Sequence, residues 1–201
     1  MPGANLTRIE AEERKSIIAA PIHYTVKLDL TRGAKDFGSE TTITFDAKPG
    51  ESSFLDLIAN EVSEITLNGE TLDPAEAYVD SRIELKNLKE HNEVTVKAMC
   101  QYSNTGEGLH RSVDPSDGNV YLYTQFETAD ARRMYACFEQ PDLKARWRFV
   151  VIAPDGWQVL SNGAEAAREP RDVAVEEVVP DRPGIAEPAG DQGPTPGRAD
   201  G

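Results

Sequence analysis

Ile22-His23-Tyr24-Thr25-Val26-Lys27-Leu28-Asp29-Leu30 alternates apolar and polar residues from end to end. Period two places Ile22, Tyr24, Val26, Leu28 and Leu30 on one face of a strand and the polar residues on the other. Residues 41–47 repeat the pattern, with Ile43 and Phe45 inward. The glycine-bounded stretch 33–38 suits a turn that joins the two strands as a hairpin.

The same reading extends along the chain. Lys48-Pro49-Gly50-Glu51 is a turn, residues 54–58 are short and apolar, and residues 62–67 run into Asn68-Gly69, a strong hairpin signal. Residues 82–85 and 93–102 continue as strands. In the latter Val94, Val96, Ala98, Cys100 and Tyr102 share one face. Residues 120–126 and 146–153 are further strands, and 157–160 a short last one. The one internal helical candidate is 130–136. Strands this frequent, without helices between them, exclude a parallel α/β fold. They indicate an all-β class: an antiparallel, saddle-like β sandwich.

The two ends differ from this middle. Thr7 and Glu10 have capping-box spacing, so residues 1–20 read as a short N-terminal helix that ends before Pro21. Residues 164–201 contain no aromatic residue and no lysine, and are dense in Pro, Gly, Ala, Glu and Arg. Such a segment buries too little apolar area to offset chain entropy and reads as a disordered C-terminal tail. The organisation is therefore a helical extension over 1–20, a β domain over 21–163 and a tail over 164–201. Arginine without lysine is also what a shifted GC-rich reading frame produces.

A formal charge of −14 repels phosphates, which argues against nucleic acid and anionic membrane surfaces as partners. Cys100 and Cys137 show no CxxC spacing, and charged residues interrupt the N-terminus. No disulfide framework, signal peptide or membrane span is expected, and the cytoplasm is the default location. His23, His91 and His110 lack ligand partners at helical or strand spacing, and HExxH is absent, so no metal site is expected. Gly106-Glu107-Gly108-Leu109-His110-Arg111 lacks the spacing of a phosphate-binding loop. It reads either as a flexible connection or as a loop lining a cleft. Neither Ser112 nor Ser116 sits in a nucleophile elbow.

Residues 121–141 carry the most chemistry. Gln125 and Glu127 flank Phe126 and leave the strand end on the same side. A carboxylate beside an amide carbonyl can hold an ammonium group. Alternatively, Glu127 pairs with Arg132 or Arg133 and fastens the following turn.

Thr124-Gln125-Phe126-Glu127, Ala131-Arg132 and Cys137-Phe138-Glu139-Gln140-Pro141-Asp142 together resemble the N-terminal domain of aminopeptidase N-type zinc metallopeptidases, most closely the actinobacterial type. Gly108-Leu109-His110-Arg111 and Trp157-Gln158-Val159-Leu160-Ser161-Asn162-Gly163 fit the same family. The resemblance covers residues 5–163. It implies a saddle-shaped β domain that packs on a thermolysin-like catalytic domain. It also implies that Gln125 and Glu127 bind the free α-amino group of a peptide whose N-terminal residue is removed. Zinc is the cofactor in the parent family, held by HExxH and a distal Glu, and a Gly-x-Met-Glu-Asn motif supplies another amine-binding Glu. None of these occurs here, so the chain reads as a fragment truncated before the catalytic domain and inactive alone. Ala136 stands where many members have Pro, and Glu139 where many have Asp. The alternatives are a non-catalytic β interaction module and one half of a split aminopeptidase that meets a catalytic-domain polypeptide.

Overall fold

Thr7 opens the first helix. Its side chain accepts the backbone N–H of Glu10, and the Glu10 carboxylate accepts the backbone N–H of Thr7, so both free donors are satisfied. The computed structural model describes residues 5–169 and 175–179. Helix α1 spans Arg8–Ile17 and passes straight into strand β1, Ile18–Asp29. The helix thus stops short of the end expected at Pro21, which lies inside β1. Proline has no N–H to donate to a ladder, and the sheet register slips between Ala19 and Ile22, where no ladder bond is needed.

The following strands are β2 (Asp36–Ala47), β3 (Ser53–Asp56), β4 (Glu61–Leu67) and β5 (Glu70–Leu72). The short helix α2 (Pro74–Ala77) leads to β6 (Tyr78–Val79), β7 (Arg82–Leu85) and β8 (His91–Gln101). Then come β9 (Gly108–Val113), β10 (Val120–Gln125) and β11 (Arg146–Ile152). Two more strands, β12 (Glu165–Ala167) and β13 (Val175–Val179), lie beyond the domain boundary expected at 163. Residues 170–174 and 180–201 of the expected tail lie outside the described residues.

The main sheet has eight strands in the order β12-β13-β11-β1-β2-β8-β4-β5. A three-stranded sheet, β3-β7-β6, and the hairpin β9–β10 complete the architecture. The fold is the expected antiparallel β structure with a short N-terminal helix. The pairing of β1 with β11 is parallel, Tyr24 opposite Trp147. The expected helix over 130–136 is a single 3-10 turn, Ala131–Arg133, and residues 157–160 form no strand.

Alternation decides the core. Ile22, Tyr24, Val26 and Leu28 of β1, Phe37, Ile43 and Phe45 of β2, and Val94, Val96 and Cys100 of β8 are buried in one cluster with Leu55, Ile83 and Leu85 of the smaller sheet. Helix α1 adds Ile17 and, unusually, Arg14, whose guanidinium meets Asp56 at 2.9 Å with both side chains 1% exposed. That guanidinium also lies 4.1 Å over the Phe54 ring. The segment after β10 is tied to the core by aromatic contacts. Tyr24 stacks on Trp147 at 3.8 Å, Tyr135 packs between Trp147 and Phe126, and the Tyr24 hydroxyl accepts the backbone N–H of Phe138.

Candidate functional site

Gln125 is the last residue of β10 and pairs with Gly108, the first of β9. The strand ends one residue before the expected Phe126. Phe126 turns inward to pack edge-on against Tyr135, with ring centroids 5.8 Å apart. Gln125 and Glu127, on either side of this anchor, are exposed. The Gln125 side-chain carbonyl accepts the backbone N–H of Glu127 at 3.0 Å, and the next peptide bond, Glu127–Thr128, is cis. The Gln125 side chain thus meets the Glu127 backbone, and both residues lie exposed at the strand end. One lone pair of the Gln125 carbonyl is used within the chain, and a second stays available.

The turn that follows is fastened without Glu127. Arg132 is buried. Its Nε donates to the Ala129 carbonyl at 2.9 Å and a terminal nitrogen donates to Asn5 Oδ1 at 2.6 Å. Its own backbone N–H donates to Glu139 Oε2 at 2.7 Å, and its carbonyl accepts from Ile58. Arg133 pairs with Asp130 at 2.6 Å and with Glu107 at 3.4 Å. The Glu127 carboxylate makes no hydrogen bond or ion pair among the described residues. Burial is the main cause that pushes the half-buried Glu139 carboxyl above its ordinary range and drives up the buried Cys137 thiol beside it.

Gly108 explains how Arg133 reaches the hairpin. Its φ is +64°, and a Cβ there would stand 2.7 Å from Arg133 Cβ. Gly106 donates its backbone N–H to His110 Nδ1 at 3.0 Å, and the His110 ring stacks on Tyr123. Both readings of residues 106–111 expected a loop, whereas residues 108–111 lie in strand β9. Glu107 and Arg111 line a cleft of about 580 Å³. The sequence does not reveal this cleft, since its walls come from residues far apart in the chain.

His91 meets Asp46 at 2.7 Å on the surface, a hydrogen bond that raises its pKa. His23 is exposed. No group of three or more His, Cys, Asp or Glu side chains among the described residues is placed to hold a metal ion. No helix among them is long and apolar enough to cross a membrane.

Residues 20–178 match the peptidase M1 N-terminal domain family. The chain is 54% identical to the aminopeptidase N of Streptomyces lividans over 177 residues, which cover 86% of this chain and 20% of that protein. It is 29% identical to the aminopeptidase N of Haemonchus contortus, over 72% of this chain and 18% of that one. Its fold matches the crystal structure of Legionella pneumophila aminopeptidase A in complex with aspartic acid, with a TM-score of 0.66 at 17% identity. That match covers 81% of this chain and 19% of the other. The chain spans about a fifth of the length of these relatives.

Proposed function

Because the chain belongs to the peptidase M1 N-terminal domain family, we propose that it supplies the amine-recognition wall of a zinc-dependent aminopeptidase, which removes N-terminal residues from peptides. Glu127 gives the negative charge and the Gln125 carbonyl a second acceptor for the substrate's α-ammonium group. The observation that carries this reading is the Glu127 carboxylate, exposed at a strand end whose backbone is fixed by Gln125. A carboxylate committed to Arg132 or Arg133 would have served the turn instead.

Among the described residues no His, Cys, Asp or Glu side chains are grouped to hold a catalytic zinc. The zinc ligands and the water-activating carboxylate belong to a catalytic domain, in the same polypeptide or in a partner, and this chain alone does not hydrolyse peptides. The second reading is a non-catalytic interaction module. It is favoured by Tyr121 and Tyr123, about half exposed on one face of β10.

The test is a titration of the 15N-labelled chain with a dipeptide amide whose amine is free, against its N-acetyl counterpart. The free amine shifts the backbone signals of Gln125, Glu127 and Thr128, and the acetylated ligand leaves them in place. Equal responses to both ligands, or none to either, would sink the reading.

A further inference from the structure

Three cations and a single carboxylate line the cleft beside the hairpin: Lys35, Arg111 and Arg133 against Glu107. The contrast with a chain of formal charge −14 is local and structural. Arg133 is committed to Asp130 and Glu107. Lys35 and Arg111 make no side-chain hydrogen bond or ion pair among the described residues. The Ser103 hydroxyl, on the same wall, is buried without a partner among them. The buried Ser103 hydroxyl costs desolvation unless an acceptor reaches it, while the exposed Lys35 and the half-buried Arg111 are free to turn to such an acceptor.

Backbone bonds hold the segments that carry these side chains. The Lys35 carbonyl accepts from Tyr102 at 2.9 Å. Ser103 donates its N–H to Leu109 at 3.0 Å and accepts from Arg111 at 2.9 Å. The cleft and the amine wall share one scaffold, since Glu107 precedes Gly108, the strand partner of Gln125. Arg133 packs against Gly108 and lines the cleft as well.

We propose that this cleft is a carboxylate subsite. Arg111 offers a two-pronged donor, Lys35 a mobile point charge and Ser103 a hydroxyl, which suit a planar anion with one charge. Glu107, which lines the same cleft, disfavours a dianion such as phosphate more than a carboxylate. That the carboxylate belongs to a peptide rests on the reading of Gln125 and Glu127 as the amine wall. The donor set itself does not.

The experiment is a titration of the 15N-labelled chain with amine-blocked ligands. N-acetyl-triglycine carries only a terminal carboxylate and N-acetyl-glutamate amide only a side-chain one. N-acetyl-triglycine amide carries neither, and inorganic phosphate is the competing anion. Either carboxylate ligand shifts the backbone signals of Ser103, Asn104 and Arg111, and the tighter of the two identifies the source. Arg111→Ala and Lys35→Ala each weaken that binding about tenfold. Lys35 is exposed, so its variant keeps the wild-type spectrum and guards against misfolding of the other. The subsite is overturned if the amide binds as well as the acids, if phosphate binds more tightly than either carboxylate, or if both variants bind unchanged. A free-amine dipeptide amide run alongside separates the two ideas. Carboxylate binding without an amine response retains the subsite and removes the amine wall, and the opposite pattern does the reverse.

Discussion

The side-chain carbonyl of Gln125 accepts the backbone N–H of Glu127 at 3.0 Å, so one residue of the pair positions the other. The two should therefore fail differently. Glu127→Gln removes a charge that touches nothing within the described chain. Stability stays within about 0.5 kcal/mol of wild type, while the response to a free-amine ligand is lost. Gln125→Ala breaks the bond that holds the turn and costs about 0.5–1.5 kcal/mol, with weaker amine binding as a consequence. Urea denaturation and the amine titration read the two effects separately. Retained amine binding in Glu127→Gln would contradict the role given to that carboxylate.

Helix α1 is held to the β domain by a buried charge. Arg14 and Asp56 are each 1% exposed, and Arg14 Nε and Nη1 find no hydrogen-bond partner among the described residues. Asp56 Oδ1 lies 3.9 Å from Arg82 Nε, inside ion-pair range but too far for a hydrogen bond. Asp56→Asn leaves a buried guanidinium uncompensated and is expected to cost about 3–5 kcal/mol. The pair Arg14→Met with Asp56→Leu removes both charges and should recover most of that loss. A double-mutant cycle by chemical denaturation checks this. Additive losses would show that the two charges do not depend on each other.

Much of this fold is legible in the sequence, because alternation is a local signal. Residues 22–28 announce their own inward face, and Asn68-Gly69 announces the turn between β4 and β5. What the pattern conceals is set by residues distant in the chain. Tyr24 and Trp147 become neighbours through a parallel pairing that no local spacing encodes. Pro21 reads as a helix stop, yet it sits in a strand because the opposing register slips there. Arg14 reads as one more solvated charge until Asp56 and Phe54 close over it. At the candidate site, Gln125 and Glu127 are legible as a pair. The cleft is not, since Lys35, Ser103, Arg111 and Arg133 converge only after folding.

Acid should loosen the anchor of α1 in a defined window. The hydrogen bond from Arg82, and after it the Thr7 backbone N–H, holds the Glu10 carboxyl down at about 2, from an ordinary value of 4.5. A depressed carboxyl contributes stability above its unfolded pKa and loses it as pH falls through the folded one. The loss should therefore run from about pH 4.5 down to about 2. Glu139 acts oppositely. Burial raises its pKa, so its contribution is full below the unfolded value and lost as pH rises through the folded one. Glu10→Gln should flatten the acid limb and cost on the order of 1 kcal/mol at neutral pH, given partial solvent screening. Stability measured from pH 7 to pH 2 decides it. An unchanged acid limb in the variant would place the titration elsewhere.

Gly108 joins the hairpin to the turn, and its replacement should be felt in both. With φ at +64°, any side chain meets backbone strain, and a Cβ would press within 2.7 Å of Arg133 Cβ. Two rigid segments collide there, because Arg133 is fixed by Asp130 and Gly108 by its pairing with Gln125. Relief therefore requires either the Arg133 turn to move out or the start of β9 to move off β10. Gly108→Ala should cost about 1–3 kcal/mol, measured by chemical denaturation. It should also shift the backbone signals of Gln125 and Glu127, which a purely local defect would leave in place. Arg133→Gly on the Gly108→Ala background removes the opposing Cβ and separates the two causes. The clash should be relieved and the φ penalty, on the order of 1 kcal/mol, should remain. A Gly108→Ala cost that is the same on the Arg133→Gly background as in the wild type would assign the cost to backbone strain alone and disprove the packing of Arg133 against this glycine.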